Sequence, residues 1–280
     1  MIFSATDRII RFLNKPMLEK RAAIKATLSD ALFGERRNLY GMLTGKFAPP
    51  SVLSGQEKLF LSYRPDSDLT FGQHPELGQL SQKWIYDNVL NNAGDLTRFY
   101  NFIFNIKNIL ADGVPGDLAE LGVYKGNSAA SLAHYAREFG RQVVLFDTFE
   151  GFHRCDFVGI DGEKSMEFTD TSLDQVRQLV GQEAVRFVPG YFPKSIPTDI
   201  YDWRFCVVHI DCDLHEPAKA ALEFFYPRLS PGGLLIIHDY ANPCWPGIKK
   251  AVDTYCHSIP ERPVLFGDKS GTAMIRKALS

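Results

Sequence analysis

The stretch DLAELGVYKGN, from Asp117 to Asn127, decides how this chain folds. It is mostly apolar from Leu118 to Val123, with a single acid at Glu120. Two glycines, Gly122 and Gly126, then enclose three residues, and a segment of helix-forming composition follows. A strand, a glycine turn and a helix in this order are typical of the first unit of an open α/β sheet.

The glycine turn favours a ligand that contains a nucleoside, although an ordinary turn without a ligand is the alternative. A turn without side chains lets a ligand approach the backbone and exposes the N–H groups that begin the next helix. The neighbouring Glu120 suits hydroxyl or ammonium groups better than phosphate. A dinucleotide-binding site normally has G-x-G-x-x-G, whereas this turn is G-V-Y-K-G-N. S-adenosylmethionine, a common nucleoside ligand without phosphates, therefore fits best.

Length and composition are those of one large α/β domain with a modest extension. The chain has 280 residues, of which 45% are hydrophobic and 23% are charged. The formal net charge of −2 gives no field that would attract nucleic acid or an acidic membrane. No apolar run approaches the roughly 20 residues that span a bilayer. We therefore expect neither a nucleic-acid partner nor a membrane span.

The cysteines and the first residues predict a cytoplasmic protein. Five cysteines, an odd number without C-x-x-C spacing, are most simply explained as reduced thiols. The start, MIFSATDRIIRFLNKP, lacks the apolar core and the small-residue cleavage site of a secretory signal.

We expect residues 1–80 to form a helical extension and residues 81–280 to form the α/β domain. Residues 1–46 carry more Lys and Arg than Asp and Glu, and their apolar residues recur at helical spacing. A helix that packs on a partner subunit of a homo-oligomer, or on the main domain, is favoured over a membrane-surface helix, because Pro16 interrupts the pattern. The extension is therefore predicted to serve association or to cover a substrate.

The segments before the glycine turn are predicted to include a linker, a connection and two helices. Residues 48–55 have the composition of a linker, and residues 59–75 are an irregular connection or a flap over a site. Residues 77–110 contain two helical patterns. The second begins at Asp95 or its neighbour, a predicted N-cap.

Strands and helices alternate regularly after the glycine turn. This spacing predicts a doubly wound, mostly parallel sheet of seven strands with helices on both faces. A Ser-Pro-Gly-Gly turn at 230–233 is predicted to separate the fifth strand from the helix before it. After the first strand, further strands are predicted at 142–147, 184–188, 204–211 and 234–239 and near Val264 and Ala273, and helices at 128–138, 171–181, 216–228 and 245–257.

Four of the five central strands end at or near an acid, namely Glu120, Asp147, Asp211 and Asp239. In open α/β sheets, ligands bind beyond the carboxyl ends of the strands. A single acid after a strand is more often a helix N-cap. Four acids on one rim, however, are costly to hold together without cations or hydroxyl donors, so this rim is the predicted ligand site.

Asp147 has the position of a ribose-binding acid. It follows Gly122 by 25 residues and ends the second predicted strand. In dinucleotide sites, a carboxylate at this point accepts hydrogen bonds from the ribose hydroxyls. We expect the same contact in a nucleoside site.

A second group of polar residues predicts a divalent metal site. Asp211 and Asp213 occur in HIDCDLHEP, and His238 and Asp239 occur in IIHDY at the end of the next strand. Carboxylates and an imidazole that face a crevice are suitable ligands for Mg²⁺, Mn²⁺ or a similar ion. The alternative is that Asp213 and Glu216 cap the next helix while His238 makes a buried hydrogen bond.

Three motifs resemble the macrocin O-methyltransferase type of class I S-adenosylmethionine-dependent methyltransferases, which modify hydroxyls of sugars and other natural products. They are PGDLAELGVYKGNSA, VVLFDTFEGF and HIDCDLHEPAKAALEFFYPRLSPGGLLIIHDY, in this order between Leu96 and Cys256. The resemblance implies a class I methyltransferase fold, S-adenosylmethionine as methyl donor and a small hydroxylated acceptor. It does not extend to residues 1–75.

The resemblance also implies roles for individual residues that would bind the cofactor. Glu120, Gly122 and Ser128 would hold its methionine end, and Asp147 would hold its ribose. The full set of cofactor-binding residues that it implies is Glu120, Gly122, Tyr124, Ser128, Asp147, Thr148 and Asp211.

Asp211, His238 and Asp239 would hold the metal ion, by the same resemblance. His238 stands where the family usually has an acid, and Leu214 to Pro217 replaces an aromatic residue followed by an acid and a serine. The identity of the metal, Mg²⁺ or Mn²⁺, therefore stays open. An acceptor hydroxyl must lose its proton, and Asp211 and His215 are the candidate catalytic bases.

Two other functions stay open on the sequence alone. An NAD-dependent oxidoreductase would need a fuller glycine fingerprint than this chain has. A non-catalytic nucleoside-binding domain on a degenerate methyltransferase fold is favoured by His238 and by the pair Leu214 and His215.

Overall fold

The computed structural model of the protein describes residues 95–279, together with Leu80 and Trp84. The predicted association helix, linker and flap before residue 76 lie outside the described residues. So does most of the first of the two predicted helical patterns. Leu80 and Trp84 are helical and buried, and Trp84 packs on Phe99 with ring centroids 5.6 Å apart.

Between residues 95 and 279 the chain contains five α-helices and seven strands. In chain order they are α1 (Leu96–Ala111), β1 (Asp117–Leu121), α2 (Asn127–Glu138), β2 (Val143–Asp147), α3 (Leu173–Val180), β3 (Val185–Pro189), β4 (Phe205–Ile210), α4 (His215–Arg228), β5 (Leu229–Ile237), α5 (Pro246–Tyr255), β6 (Val264–Leu265) and β7 (Ala273–Arg276). Short 3-10 helices occur at Arg154–Asp156, Gly159–Asp161 and Thr198–Asp202.

The seven strands form one sheet in the order β3-β2-β1-β4-β5-β7-β6. The first five are parallel, and β7 is antiparallel to both of its neighbours. From β1 the chain proceeds outward to β3, and it then returns to β4 on the other side of β1. The predicted fold is confirmed, and the ends of β1 and β4 meet at the switch point where such sheets bind ligands.

Helices cover both faces of the sheet. Side chains of α1, α2 and α3 share one core with Leu118, and those of α4 and α5 share another with Ala119. Successive residues of a strand point to opposite faces, so a strand buried on both sides has to be apolar at nearly every position. This is why the central strands were visible in the sequence as short apolar runs.

Helix α1 begins at the predicted N-cap. The Asp95 carboxylate accepts a hydrogen bond from the backbone N–H of Arg98 at 3.0 Å, and this bond satisfies a donor that has no partner within the helix. The second oxygen of the Asp95 carboxylate accepts a hydrogen bond from the backbone N–H of Lys269 at 2.7 Å. Asp95 therefore joins the start of α1 to the loop between β6 and β7.

The predicted turn at 230–233 is wrong, because β5 already begins at Leu229. Leu229 pairs with Phe205, but the next paired residue, Val207, lies opposite Leu234. The residues between form an irregularity in the strand. At its other end β5 stops at Ile237. His238 and Asp239 therefore lie outside the strand, and their side chains do not have to point to opposite faces of the sheet.

Within the described residues, none of the helices has the length and apolar character needed to cross a bilayer.

Candidate functional site

A cavity of about 250 Å³ opens beyond the carboxyl ends of the central strands. Of the residues predicted from the sequence, Glu120 and His215 do not line it. Those that do are Gly122, Tyr124, Ser128, Asp147, Thr148, Asp211, His238 and Asp239. The structure thus brings eight of the ten predicted site residues to one cavity.

Gly122 follows β1 and lies against Asp211, the residue that follows β4. Its φ of +87° is in the left-handed region, and a Cβ added there would lie 1.9 Å from the carbonyl oxygen of Asp211. No other residue fits this position without moving one strand. Gly126, with φ of +88°, is the N-cap of α2, and a Cβ added there would lie 3.1 Å from side-chain atoms of Val176 and Val180 in α3.

Asp147 is bonded to the glycine turn. Its Oδ2 accepts the backbone N–H groups of Val123 at 2.6 Å and Tyr124 at 3.0 Å, and its Oδ1 accepts that of Phe149 at 2.6 Å. Thr148 donates its hydroxyl to the carbonyl of Gly151 at 2.5 Å. The carboxylate at the end of β2 therefore fixes the turn after β1, a function that the sequence did not indicate.

Glu120 is fully buried beneath the cavity. Its Oε1 accepts the hydroxyl of Ser128 at 2.5 Å and lies 2.7 Å from Nδ1 of His209. Burial raises the pKa of Glu120 against the opposing effect of these two partners. Its Oε2 has no hydrogen-bond partner among the described residues. A buried acceptor left open in this way is costly, so it is suited to a donor supplied by a ligand.

His209 was missed by the sequence reasoning. It lies in the middle of β4, fully buried, and its ring contacts that of Phe102 with centroids 4.9 Å apart. The sequence feature that could have indicated it is a single polar residue within the apolar run FCVVHI. In the sheet His209 pairs with Glu120 on the neighbouring strand.

An imidazole joins two carboxylates beyond β4 and β5. Nδ1 of His238 lies 2.7 Å from Oδ1 of Asp211 and 2.7 Å from Oδ2 of Asp239. The side chain of His238 can turn into the cavity because β5 has ended at Ile237. One potential ligand atom from each of the three residues lies within 4.8 Å of the others.

Arg98 completes this cluster from helix α1. Its Nη2 donates to Oδ2 of Asp211 at 2.8 Å, and its side chain is 6% exposed. The two residues are 113 positions apart in the chain, so no sequence pattern connects them. The available signal was a cation directly before the buried Phe99 in an aromatic-rich helix.

The charges of this cluster compensate one another. Burial and Arg98 lower the pKa of His238, but Asp211 and Asp239 outweigh them and raise it to about 10. Burial raises the pKa of Asp211, yet His238 and Arg98 hold it well below its usual range, and His238 likewise lowers that of Asp239. Two carboxylates thus face an imidazolium and a guanidinium. A divalent ion between the carboxylates would displace the proton of His238.

Asp213 does not cap α4. Its φ of +61° turns it toward Asp239, and burial together with the two neighbouring carboxylates raises its pKa well above the usual range. The N-cap residue Leu214 provides no side-chain bond, and Asp161 instead accepts the N–H of His215 at 2.7 Å. The alternative in which Asp213 caps this helix is therefore wrong.

The structure separates His215 from the other candidate base. Its Nδ1 lies 2.8 Å from the carboxylate of Glu216, its neighbour in the chain, and its ring does not line the cavity. Of the two candidates, Asp211 alone lines the cavity.

Four aromatic side chains line the other side of the cavity. Phe168 contacts Tyr124 and Phe152 edge to face, with centroids 5.1 Å apart in each pair, and Phe152 contacts Trp245 at 5.6 Å. They come from the turn after β1, from the segment between β2 and α3, and from the segment after β5. We call them the aromatic wall, which gives the cavity an apolar surface in addition to its acids.

Comparison with known proteins supports the class indicated by this fold. The chain matches the macrocin O-methyltransferase (TylF) model over residues 93–268. It is 36% identical over 191 residues to 8-demethyl-8-(2,3-dimethoxy-alpha-L-rhamnosyl)-tetracenomycin-C 4'-O-methyltransferase of Streptomyces olivaceus, covering 63% of this chain and 69% of that protein. It is 32% identical over 211 residues to mycinamicin III 3''-O-methyltransferase of Micromonospora griseorubida, covering 69% and 81%. Among solved structures, the O-methyltransferase NovP superposes with a TM-score of 0.63 at 25% identity, covering 76% of this chain and all of that one.

A seven-stranded, mostly parallel sheet with a glycine turn and a cavity at its switch point is the architecture of a class I methyltransferase. The chain belongs to the macrocin O-methyltransferase family. It is therefore an O-methyltransferase, as the resemblance of its motifs predicts, and neither the oxidoreductase nor the non-catalytic alternative is retained.

Proposed function

We propose that the protein transfers a methyl group from S-adenosylmethionine to a hydroxyl of a small natural product, with the help of a divalent ion. The observation that carries this proposal is the position of Asp211, His238 and Asp239 in the same cavity as the glycine turn. The name of one relative describes a tetracenomycin derivative that carries a rhamnosyl group, which favours a sugar hydroxyl as the acceptor.

The cofactor would extend along the ends of β1 and β2. Ser128 lines the cavity and would face the methionine end, and Glu120, which accepts the hydroxyl of Ser128, would supply the negative charge that attracts its ammonium group. Gly122 would let the cofactor approach the backbone. Lone pairs of Asp147 not used by the turn would accept the ribose hydroxyls, and Tyr124 and Thr148 would flank them.

A divalent ion fits the cluster in ligand type and in spacing. Asp211, His238 and Asp239 would hold it, and their mixed oxygen and nitrogen donors favour Mn²⁺, Fe²⁺ or Zn²⁺ more than an all-carboxylate set would. When bound, such an ion lowers the pKa of a coordinated hydroxyl. Arg98 would keep Oδ2 of Asp211 engaged, so that Oδ1 is the oxygen turned toward the ion.

Asp211 is the proposed acceptor of the hydroxyl proton. Arg98 and His238 lower its pKa, which makes it a weaker base than a free carboxylate. This role therefore requires an acceptor hydroxyl that is itself acidified. The aromatic wall would cover the apolar face of the acceptor and exclude water.

We further propose that residues 1–80 are an extension that serves association into a homo-oligomer or covers the substrate, and that the protein acts in the cytoplasm. The support is the basic, helical pattern of residues 1–46 and the absence of paired cysteines in the sequence.

The function is tested by calorimetry with S-adenosylhomocysteine, followed by turnover of S-adenosylmethionine with a panel of rhamnosides and other glycosides. We expect S-adenosylhomocysteine to bind. In turnover, S-adenosylhomocysteine should form only with an acceptor present, and the methyl group should be found on an oxygen of the acceptor. A protein that binds NAD and not S-adenosylhomocysteine would overturn the proposal.

A further inference from the structure

The side chain of Asn242 lies beside the second acid of the charged cluster. Asn242 belongs to the turn between β5 and α5. Its Nδ2 donates to Oδ1 of Asp239 at 2.6 Å. Asn242 lines the cavity, and neither the motifs nor the proposed chemistry assigns it a function.

The orientation of this amide is fixed by the turn. An amide oxygen only accepts hydrogen bonds and an amide nitrogen only donates them. Oδ1 of Asn242 accepts the backbone N–H of Cys244 at 3.0 Å, so Nδ2 is the atom left to face Asp239. The backbone N–H of Asn242 donates to the carbonyl of Asp239 at 3.1 Å, and its carbonyl accepts the N–H of Trp245 at 3.1 Å. The amide is therefore held in place by the protein itself.

The two carboxylates of the cluster are held in the same way. Arg98 donates to Oδ2 of Asp211, and Asn242 donates to Oδ1 of Asp239. The other oxygen of each carboxylate lies 2.7 Å from Nδ1 of His238. Each carboxylate thus has one oxygen bonded to a fixed donor and one oxygen at the centre of the cluster.

A neighbouring acid does not replace the amide. Asp213 is a further side-chain hydrogen-bond partner of Asp239. An acid donates a hydrogen bond only while it is protonated, whereas an amide donates at every pH. Asn242 is therefore the donor to Asp239 that does not depend on pH.

The number of carboxylate oxygens that a site can offer affects which ion it binds. Ca²⁺ takes many oxygen ligands and often both oxygens of one carboxylate, whereas smaller divalent ions take fewer ligands in a stricter geometry. An oxygen that already accepts a bond from an amide is a poorer metal ligand. A site whose acids each offer one oxygen, together with an imidazole, is therefore better suited to an ion such as Mn²⁺ than to Ca²⁺.

We propose that Asn242 is a positioning residue that restricts Asp239 to one metal-binding oxygen and thereby makes the site select a small divalent ion over Ca²⁺. This inference rests on the proposed function, because it needs an ion at Asp211, His238 and Asp239. It makes the turn after β5 a determinant of ion specificity, although Asn242 itself does not contact the ion.

The test is titration calorimetry of the full chain with Mn²⁺, alone and with Ca²⁺ as competitor. The unaltered protein should bind Mn²⁺ more tightly than Ca²⁺. In Asn242→Ala the Kd for Mn²⁺ should rise by about tenfold or more, the effect of removing a group that orients a metal ligand. The Kd for Ca²⁺ should change less, because Oδ1 of Asp239 becomes available as a further ligand. The preference for Mn²⁺ should therefore fall by about three- to tenfold.

Two further variants separate this role from the shape of the turn. In Asn242→Ser the hydroxyl can still accept the N–H of Cys244, but the side chain is one atom shorter and does not reach Asp239. The preference for Mn²⁺ should fall as in Asn242→Ala. Asn105→Ala is the matched control, because Nδ2 of Asn105 donates to the carbonyl of Asn101 at 2.7 Å within α1 and Asn105 does not line the cavity. It should leave the preference unchanged.

An unchanged preference in Asn242→Ala and in Asn242→Ser, with both ions still bound, overturns this inference and leaves the proposed function intact. A loss in Asn242→Ala that is absent in Asn242→Ser also overturns it, because Asn242 would then act only through the turn. If the unaltered protein binds neither ion, the inference fails together with the proposed ion, while S-adenosylhomocysteine binding by the same preparation tests the rest of the proposed function. If Asn242→Ala does not fold, the ratio in Asn242→Ser decides.

Discussion

The carboxylate of Asp147 accepts three backbone N–H groups, from Val123, Tyr124 and Phe149. Asp147→Ala leaves these donors without an acceptor and removes the proposed ribose contact. We expect it to lower the free energy of unfolding and to weaken S-adenosylhomocysteine binding, each by about 2–3 kcal/mol. Chemical denaturation measures the first loss and calorimetry the second.

Asp147→Asn is the matched variant, because its amide oxygen still accepts hydrogen bonds from one side. It should lose less stability than Asp147→Ala. An alanine variant with unchanged affinity would remove Asp147 from the cofactor site.

Gly122 and Gly140 both have positive φ, but their surroundings differ. A Cβ at Gly122 would overlap the backbone of Asp211, whereas none of the described atoms lies within 4 Å of a Cβ at Gly140. Gly140→Ala should therefore cost about 1–2 kcal/mol of unfolding free energy, the strain of a left-handed backbone alone. Gly122→Ala should cost more, because β1 and β4 must also separate.

Denaturation curves of the two variants give this difference directly. Equal losses would show that the ends of β1 and β4 are not in close contact.

Among the elements, α1 carries Arg98 into the site, and Asp95 fixes where that helix begins. Asp95→Ala removes both the cap and the bond to Lys269, so we expect the free energy of unfolding to fall by about 1–2 kcal/mol. The variant should also weaken binding of Mn²⁺, measured by calorimetry, because Arg98 no longer holds Asp211 in place.

Asp95→Asn retains a capping oxygen and is the control. Normal ion binding in Asp95→Ala would mean that the position of Arg98 does not depend on the cap.

The elements themselves were largely predictable from the sequence. Strands buried on both faces are short apolar runs, and the apolar face of α1 repeats every three or four residues, so both patterns are local. The start of β5 was not predictable, because Pro231 and Gly232 are typical of turns. Only the pairing of Leu229 with Phe205 carries the strand back past them.

The candidate site was predictable where side chains follow strand ends, as for Asp211 and Asp239. It was not predictable where distant segments meet. Arg98 reaches Asp211 from another helix, and Asp161 takes the capping role expected of Asp213. Such contacts depend on how helices pack on the sheet, which local patterns do not encode.

For the whole molecule, we expect methyl transfer to stop with a chelator and to recover with added divalent ion. Asp211→Asn and Asp239→Asn should each abolish the recovery, whereas His238→Asp should retain it and shift the preference toward Mg²⁺. Activity with each ion in turn measures this. Full activity in excess chelator would contradict the proposal that a divalent ion is required.

A second prediction at this scale concerns the extension. Deleting residues 1–46 should leave affinity for S-adenosylhomocysteine nearly intact while turnover falls, the oligomeric mass changes, or both. Calorimetry, kinetics and light scattering on the same preparation check this. A truncated protein of normal mass and full activity would show that the segment has neither role.

The balance of charges around His238 bears on whether the fold would depend on the proposed ion. Metal-dependent small domains unfold when stripped, because the ion is their structural staple. Here Arg98 and His238 already lie against Asp211 and Asp239, so we expect the fold to persist without an ion. Protein prepared in chelator should then stay folded. Each candidate ion could be added to it singly, and the affinities for the different ions could be compared without competition from a metal bound earlier.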